Sequence, residues 1–438
     1  MRLAVPALGS IAAEPLYTIA DTAIVGHLGC QQLDALAISA SILAIVAWLA
    51  IFLSTATTTE VSSRAARGEN EAGGRAVGAA YTVAAGWGAL TAAILAIAAP
   101  LAVRLLGAHG AVEAGATSYL RISALGLPFL YASYAGNGHR TGLQDTRTPL
   151  AIAVAANALN VILEVVLVFG LHKGLAGSAW GTVAAQVAAA AAYATVCWRR
   201  TARLRPRKPG AREIRDLLRD GHRLSVRTIA LGAVPLTATA IVARLGPVTL
   251  AGPQVAFRLW YLLSLSLDAL AVPAQVFVSA ALGAGDAAAA RLAGRRTLVL
   301  GLVAGTALAI ITATLALGAP AVFTDDPAVR HVAVVALLAS ALTQPLAALA
   351  FVLDGLILGI ADYAAMRHAM ILAIFAFAPM AALVLRFPWL GLPGVWAALG
   401  CWLAARSVLL GKRWREATRR YGSEEDLYPE RTRGACAS

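Results

Sequence analysis

The 438-residue chain is 59% hydrophobic and only 13% charged, with a formal net charge of +13 and a mean hydropathy of +0.72. A soluble domain of this length needs many more charges to cover its surface, so a soluble fold is excluded. Nucleic-acid binding is not expected from the positive charge, because the basic residues flank apolar blocks.

Taken in chain order, apolar blocks fall at residues 3–27, 34–60, 77–106, 116–140, 148–170, 176–198, 224–244, 249–282, 295–317, 331–360, 365–386 and 393–412. Each is long enough to cross a bilayer core, which takes about 20 helical residues. Hydrophobicity does not alternate residue by residue, which argues against a membrane β-barrel. The first block is read as a span. Only Arg2 precedes it, and Glu14 and Asp21 interrupt the apolar core that a cleavable signal requires. It begins so near the first residue that a short amphipathic leader is expected upstream.

Charge sets the orientation. If loops are assigned alternately to two sides, only Arg104, Arg121, Lys173, Arg244, Arg258, Arg330 and Arg386 fall on the far side or inside spans. These are 7 of the 36 lysines and arginines, leaving 29 on the side of the N-terminus. Positive loops stay in the cytoplasm. The expected location is therefore the cytoplasmic (inner) membrane, multi-pass, with both termini inside. The segment 199–223 is the most basic, is broken by Pro206, Pro209 and Gly210, and ends in a stretch, AREIRDLLRDG, that fits a short surface helix against anionic lipid.

The chain repeats itself. GLPFLYASYAGNGHRTGLQD in the fourth block matches LTQPLAALAFVLDGLILGIAD in the tenth. Pro128 aligns with Pro345, Gly138 with Gly355, Gly142 with Gly359 and Asp145 with Asp362, always 217 residues apart. The same offset pairs Gly68 with Gly285 and Gly174 with Gly391. Six spans and a linker per repeat give both halves one topology, so they are parallel repeats about an axis along the membrane normal. The expected division is an N-terminal lobe over 1–200, a basic cytoplasmic linker over 201–220, a C-terminal lobe over 221–417 and a cytoplasmic tail over 418–438. A substrate cavity is expected between the halves, near the membrane midplane.

A charged, unpaired carboxylate inside a span costs several kcal/mol, so each such residue calls for a reason. Glu14 and Asp21 are seven residues apart and share a helix face, with Tyr17 close to it. Asn157, Asn160 and Glu164 form one stripe in the fifth span, and Ser178, Thr182 and Gln186 another in the sixth. Asn137 closes a polar patch in the fourth span, below Tyr119. Turned toward one another, these stripes make a pocket of oxygen ligands without a fixed countercharge, suited to a proton or a hard monovalent cation. Burial beside a like charge favours the protonated form of a carboxylate, as a proton carrier requires. A structural hydrogen-bond network between helices is the competing reading. The second half differs. Gln254 and Arg258 lie one turn apart, Asp268 is mid-span, and Asp354 stands where the repeat places Asn137. Arg258 and Asp268 suit an ion pair, whereas Asp354 suits a second cation site.

Several segments together carry a family resemblance: AEPLYTIADTAIVGHLG, GLQDTRTPL, GLAGSAWGT, LSLSLDALAVPAQVFVSAALGAGD and FVLDGLILGIAD. From about Val5 to Trp414 the chain resembles the DinF-type branch of the multidrug and toxic compound extrusion (MATE) transporters. The resemblance implies an all-α fold of twelve helices in two six-helix lobes arranged as a V. It also implies export of organic cations and other toxic compounds in exchange for protons or sodium. The family's first-helix aspartate matches Asp21, its fifth-helix asparagine and acid match Asn160 and Glu164, its sixth-helix threonine matches Thr182 and its fourth-helix asparagine matches Asn137. Tyr119 falls on a family cavity position, and Pro6 matches the proline about which the first helix bends. Glu164 is a departure. Relatives of this branch commonly carry aspartate there, and glutamate reaches one methylene further.

The expectation is a monomeric antiporter in the lipid bilayer, acting on a small-molecule substrate. It needs no cofactor, and its coupling ion is a proton or a sodium ion held by Asp21, Asn160, Glu164 and Thr182. A lipid-linked precursor flippase is the alternative transporter, but it calls for a basic cavity that Arg121 and Arg258 supply thinly. A major-facilitator carrier is disfavoured by the loop SSRAARGENEAGGR between the second and third spans. An integral membrane enzyme is not expected. The seven histidines lie at span ends or on the inner face, and Cys30, Cys197, Cys401 and Cys436 are scattered without metal-ligand spacing.

Overall fold

The computed structural model describes residues 9, 18, 20–199, 204–244, 267, 269–323 and 327–427. Among them the regular structure is helical: α1 (residues 20–26), α2 (Cys30–Trp48), α3 (Phe52–Arg67), α4 (Asn70–Leu105), α5 (Gly110–Ala124), α6 (Leu127–Gly142), α7 (Arg147–Val165) and α8 (Gly174–Arg199). They are followed by α9 (Ala211–Arg244), α10 (Ala269–Gly283), α11 (Ala287–Phe323), α12 (Pro327–Gly359), α13 (Tyr363–Arg386) and α14 (Gly391–Leu427). Nine helices among the described residues are long and apolar enough to cross a membrane. The first and eighth expected spans lie partly outside those residues, and the fourth is split between α5 and α6. The chain is an all-α, twelve-span membrane protein.

The split has a local cause. Gly126 precedes Leu127 and Pro128, and proline supplies no N–H to continue the ladder from the preceding turn. A side chain at Gly126 would also run into Gln186 of α8. In the second half, Thr343 stands at the position of Gly126, and α12 runs unbroken through Pro345.

The 217-residue register is built into the packing. A Cβ at Gly138 would meet the Ser54 carbonyl oxygen, and one at Gly355 the Ala271 carbonyl oxygen, each at 2.4 Å. Gly88 meets Pro128 as Gly305 meets Pro345. Left-handed residues recur as well: Gln144 at φ 63° and Ala361 at φ 57°. Directly after each stands an aspartate that accepts the N–H of the third residue beyond it, Thr148 for Asp145 and Ala365 for Asp362. In lipid there is little hydrophobic drive between helices, so such close backbone contacts carry much of the packing. On the lipid-facing side of some helices large apolar side chains point outward. The third span of each half, α4 and α11, exposes Ile97, Leu101 and Leu105, or Val303, Ile310 and Leu317.

The chain divides into two compact units, Met1–Ser225 and Val226–Ser438. The boundary falls within α9. The stretch expected as a separate surface helix is the first part of α9 and runs without a break into the seventh span. Gly221 does not stop it, because the missing side chain there makes room for the Phe52 ring. The linker just before α9 belongs to the first unit. Leu204 is buried beside Val61 and Val77, and the Arg207 N–H donates to Gly74 O at 2.9 Å. Arg207 pairs with Glu71, and Arg75 with Glu213.

Candidate functional site

The interior of the first unit holds a polar cluster drawn from four parts of the chain. Asp21 on α1, Tyr119 on α5, Asn160 and Glu164 on α7, and Ser178 on α8 are all buried, while Thr182 on α8 is half-buried. The spacing explains the alignment. Residues three or four apart share a helix face, so Asn160 and Glu164 point the same way, as do Ser178 and Thr182. Gly181 lets α7 and α8 close on each other. A Cβ there would lie 3.3 Å from Glu164 N and 3.5 Å from Asn160 Oδ1.

The Ser178 hydroxyl donates to Asp21 Oδ1 at 2.9 Å. Asn160 Nδ2 donates to Thr182 Oγ1 at 3.3 Å, and that hydroxyl donates to Ser178 O at 3.2 Å. The Tyr119 hydroxyl faces Ser178, Thr182 and both carboxylates. The Glu164 carboxyl lies against Asp21 and Ser178, yet both of its oxygens, like Asn160 Oδ1, lack a donor among the described residues. Two ionised carboxylates have no hydrogen between them, so the Asp21–Glu164 contact becomes a hydrogen bond only when one of them carries a proton. Among the described residues no lysine or arginine is paired with either acid. The cluster thus offers spare oxygen ligands and two carboxyls in a buried setting, an arrangement able to take up a proton or a small hard cation. Starting two residues after Glu164, Val166–Gly170 forms a π-helical turn, a local widening often found beside functional positions.

Other expected site residues fall elsewhere. Gln186 packs against Gly126, one turn beyond Thr182, and Asn157 is half-buried one turn before Asn160. Asn137 does not join the cluster. It accepts a hydrogen bond from Thr141 at 3.0 Å, and its neighbour Gly136 packs on Tyr193, eleven residues along α8 from Thr182, or about 16 Å of helix. Pro6, Glu14, Tyr17, Gln254, Arg258 and Asp268 lie outside the described residues.

Asp354 requires a correction. It is fully buried and held by Arg227 at 2.9 Å and Arg406 at 2.7 Å. The Arg406 guanidinium also sits 4.7 Å from the Trp402 ring centroid. Among the described residues two guanidinium groups hold this one carboxylate, so Asp354 is engaged in an ion group where the sequence suggested a second cation site. The sequence reading placed Arg227 and Arg406 among the cytoplasmic loop and tail charges, whereas both are buried within helices. The signal was present in WLAARSVLL, where an arginine interrupts an apolar run. A second unforeseen group is His139, whose Nδ1 lies 3.0 Å from the buried Cys197 Sγ, with the Tyr81 hydroxyl donating to the same sulfur. Separations of 58 and 116 residues left no pattern to read.

The repeat shows how one-sided the cluster is. Shifted by 217 residues, Asp21, Tyr119, Asn160, Glu164, Ser178 and Thr182 become Ala238, Ala336, Phe377, Ala381, Val395 and Leu399. All six belong to the buried apolar core of the second unit.

Comparison with known proteins places the chain in a family. The family model MatE matches residues 6–166 and 226–387, one stretch in each half. The chain is 32% identical over 432 residues to Protein DETOXIFICATION 44, chloroplastic, of Arabidopsis thaliana, covering 96% of this chain and 82% of that protein. It is 28% identical over 434 residues to DNA damage-inducible protein F of Escherichia coli K12, covering 94% and 91%. A crystal structure of MATE in the bent conformation superposes with a TM-score of 0.90 at 18% identity, covering 97% of this chain and 96% of that one.

Proposed function

Because this chain belongs to the MatE family of multidrug efflux transporters, we propose that it is a secondary antiporter exporting organic, cationic or amphipathic compounds in exchange for protons or sodium ions. The observation that carries this reading is the contact between the buried carboxyls of Asp21 and Glu164, with no basic partner among the described residues.

In this reading the coupling ion enters the first-unit cluster. Asp21 and Glu164 supply charge, Ser178 orients Asp21, and Asn160 Oδ1 and Thr182 Oγ1 supply neutral oxygens. Without the ion, two like charges face each other in a dry site and push apart. With it, they are drawn together. Asp21 sits on α1 while the other groups sit on α5, α7 and α8, so occupancy changes how tightly the first span is held to its lobe. That change is the lever by which ion entry drives substrate release. One proton moving through about 100 mV supplies roughly 2.3 kcal/mol, and one pH unit adds roughly 1.4. Together they support a substrate gradient of about 400-fold.

The test is efflux from vesicles at matched protein levels, driven by an acid or a sodium jump. Asp21→Asn keeps the size but cannot exchange a proton or hold sodium by charge, and it abolishes transport in this reading. Wild-type efflux by Asp21→Asn would reduce the cluster to a structural tie between helices. The orientation, with both termini cytoplasmic, is tested separately. In intact cells a membrane-impermeant thiol reagent reaches a cysteine at position 173 and not one at 208, and reversed labelling overturns it.

A further inference from the structure

Gly73, Gly74 and Gly78 are buried near the start of α4 and form a groove without side chains. The segment 204–210, which leads into α9, is seated in it. A Cβ at Gly73 would run into the Leu204 side chain, one at Gly74 into the Arg205 carbonyl oxygen, and one at Gly78 into the Arg207 carbonyl oxygen. The Arg205 Nε donates to Trp198 O at 3.0 Å and so caps the end of α8. What holds the segment down is nevertheless slight. Of its seven residues only Leu204 is buried. Leu204 plugs a gap beside Val61 and Val77, against which Tyr81 packs, but it does so at φ 55°, a backbone region that a leucine rarely adopts. The Arg207–Glu71 pair is exposed and the Arg75–Glu213 pair partly so, and such pairs contribute little. The repeat has no such groove. Positions 290, 291 and 295 carry Ala290, Arg291 and Arg295, and where α8 ends at Arg199, α14 continues as a helix to Leu427. A seated segment is therefore not a requirement of the repeated fold.

We propose that residues 204–210 form a releasable strap, docked here, that must leave its groove for α9 to move during transport. Glu213 lies in the first turn of α9, and α9 runs unbroken past the unit boundary at Ser225. Docked, the strap holds that first turn to α4, where Arg75 meets Glu213. It also lies over the end of α8, where the buried Cys197 thiol accepts from the Tyr81 hydroxyl. With a strained leucine, one apolar plug and solvent-open ion pairs, the strap can leave while the helices beneath it stay folded. The inference rests on the chain being an efflux transporter, and not on which ion drives it.

The test has two arms. In the first, Cys30, Cys401 and Cys436 are replaced by serine, and a small methanethiosulfonate reagent labels Cys197 in the purified protein. Gly78→Ala should leave α4 intact, since alanine is the better helix former, but its Cβ displaces the Arg207 carbonyl and with it the strap. Labelling of Cys197 then speeds up by about tenfold or more in a protein that still shows a cooperative melting transition. Should Gly78→Ala not fold, Leu204→Ala removes the plug alone and gives the same acceleration. Equal labelling of the parent and both variants would overturn the strap as a cover that can lift. In the second arm all four cysteines are replaced, and Glu71→Cys with Arg207→Cys are joined by a cleavable bis-maleimide. Efflux of a fluorescent organic-cation dye that the uncrosslinked protein exports from vesicles falls by about tenfold or more on crosslinking and returns on cleavage. Unchanged efflux in the crosslinked protein would overturn release as a step of transport and leave a fixed clasp.

Discussion

The Ser178 hydroxyl donates a 2.9 Å hydrogen bond to the Asp21 carboxylate, joining two helices 157 residues apart in the chain. A hydrogen bond to a charged group contributes about 1.5–3 kcal/mol. Ser178→Ala should therefore loosen α1 without removing any charge from the cluster. Efflux from vesicles should fall by roughly tenfold or more, while Asp21→Asn abolishes it. Equal loss in both variants would mean that Ser178 does more than orient Asp21.

Glu164 tests charge against reach. Glu164→Gln removes the charge and keeps the length, and Glu164→Asp does the reverse. With both Glu164 oxygens lacking donors, charge is the property that matters. Transport should be weakened strongly in Glu164→Gln and retained in good part in Glu164→Asp. The opposite order would show that Glu164 acts through its shape.

The buried group around Asp354 should behave as a stability element. Asp354→Asn leaves Arg227 and Arg406 facing each other without their carboxylate. Breaking a buried pair from one side costs about 3–5 kcal/mol, whereas replacing all the charges with apolar groups of similar size is often neutral. Thermal unfolding in detergent should show a large loss for Asp354→Asn. Recovery is expected when Arg227→Met, Arg406→Met and Asp354→Leu are combined. A small loss for the single variant would mean that water already reaches the group.

Asp145, in the turn before α7, gives a pH dependence of known sign. Partial burial acts to raise its pKa, but the Thr148 hydroxyl, the Thr148 N–H and Arg140 outweigh this and hold it below the usual carboxylate range. A depressed folded value means that the stabilisation is present above the unfolded pKa of about 3.9 and is lost as pH falls through the folded value. Melting temperature should drop more steeply on acidification in the wild type than in Asp145→Asn.

Much of this molecule was legible in the sequence because its constraints are periodic. Span lengths follow from bilayer thickness, and the 217-residue register follows from glycines that admit a neighbouring backbone. Asp21, Asn160, Glu164, Ser178 and Thr182 were legible because polar stripes on apolar helices stand out. Distances across helices were not. Asn137 lies in the right span, but at the wrong level to meet Thr182, and helix depth cannot be compared between spans without a packed structure. The Asp354 ion group was misread because the charge count assigned Arg227 and Arg406 to the cytoplasmic side, although both lie inside the apolar blocks 224–244 and 393–412. The split at Gly126 escaped notice because hydropathy runs smoothly across it.

Positions 217 residues apart share a backbone environment but not the same demands, and this predicts an uneven tolerance to change. At Gly138 and Gly355, where each helix presses on a neighbouring carbonyl, almost any substitution in either copy should be rejected. At Glu164 few residues can replace a carboxylate, while its counterpart Ala381 sits in an apolar core where volume-conserving swaps are tolerated. A complete substitution map of the chain would therefore read as two matching halves at the glycines and as two unrelated proteins at the six cluster positions. Where the halves of that map diverge, one copy of the duplicated unit is held to a buried polar cluster, and the other has kept the freedom of an apolar core.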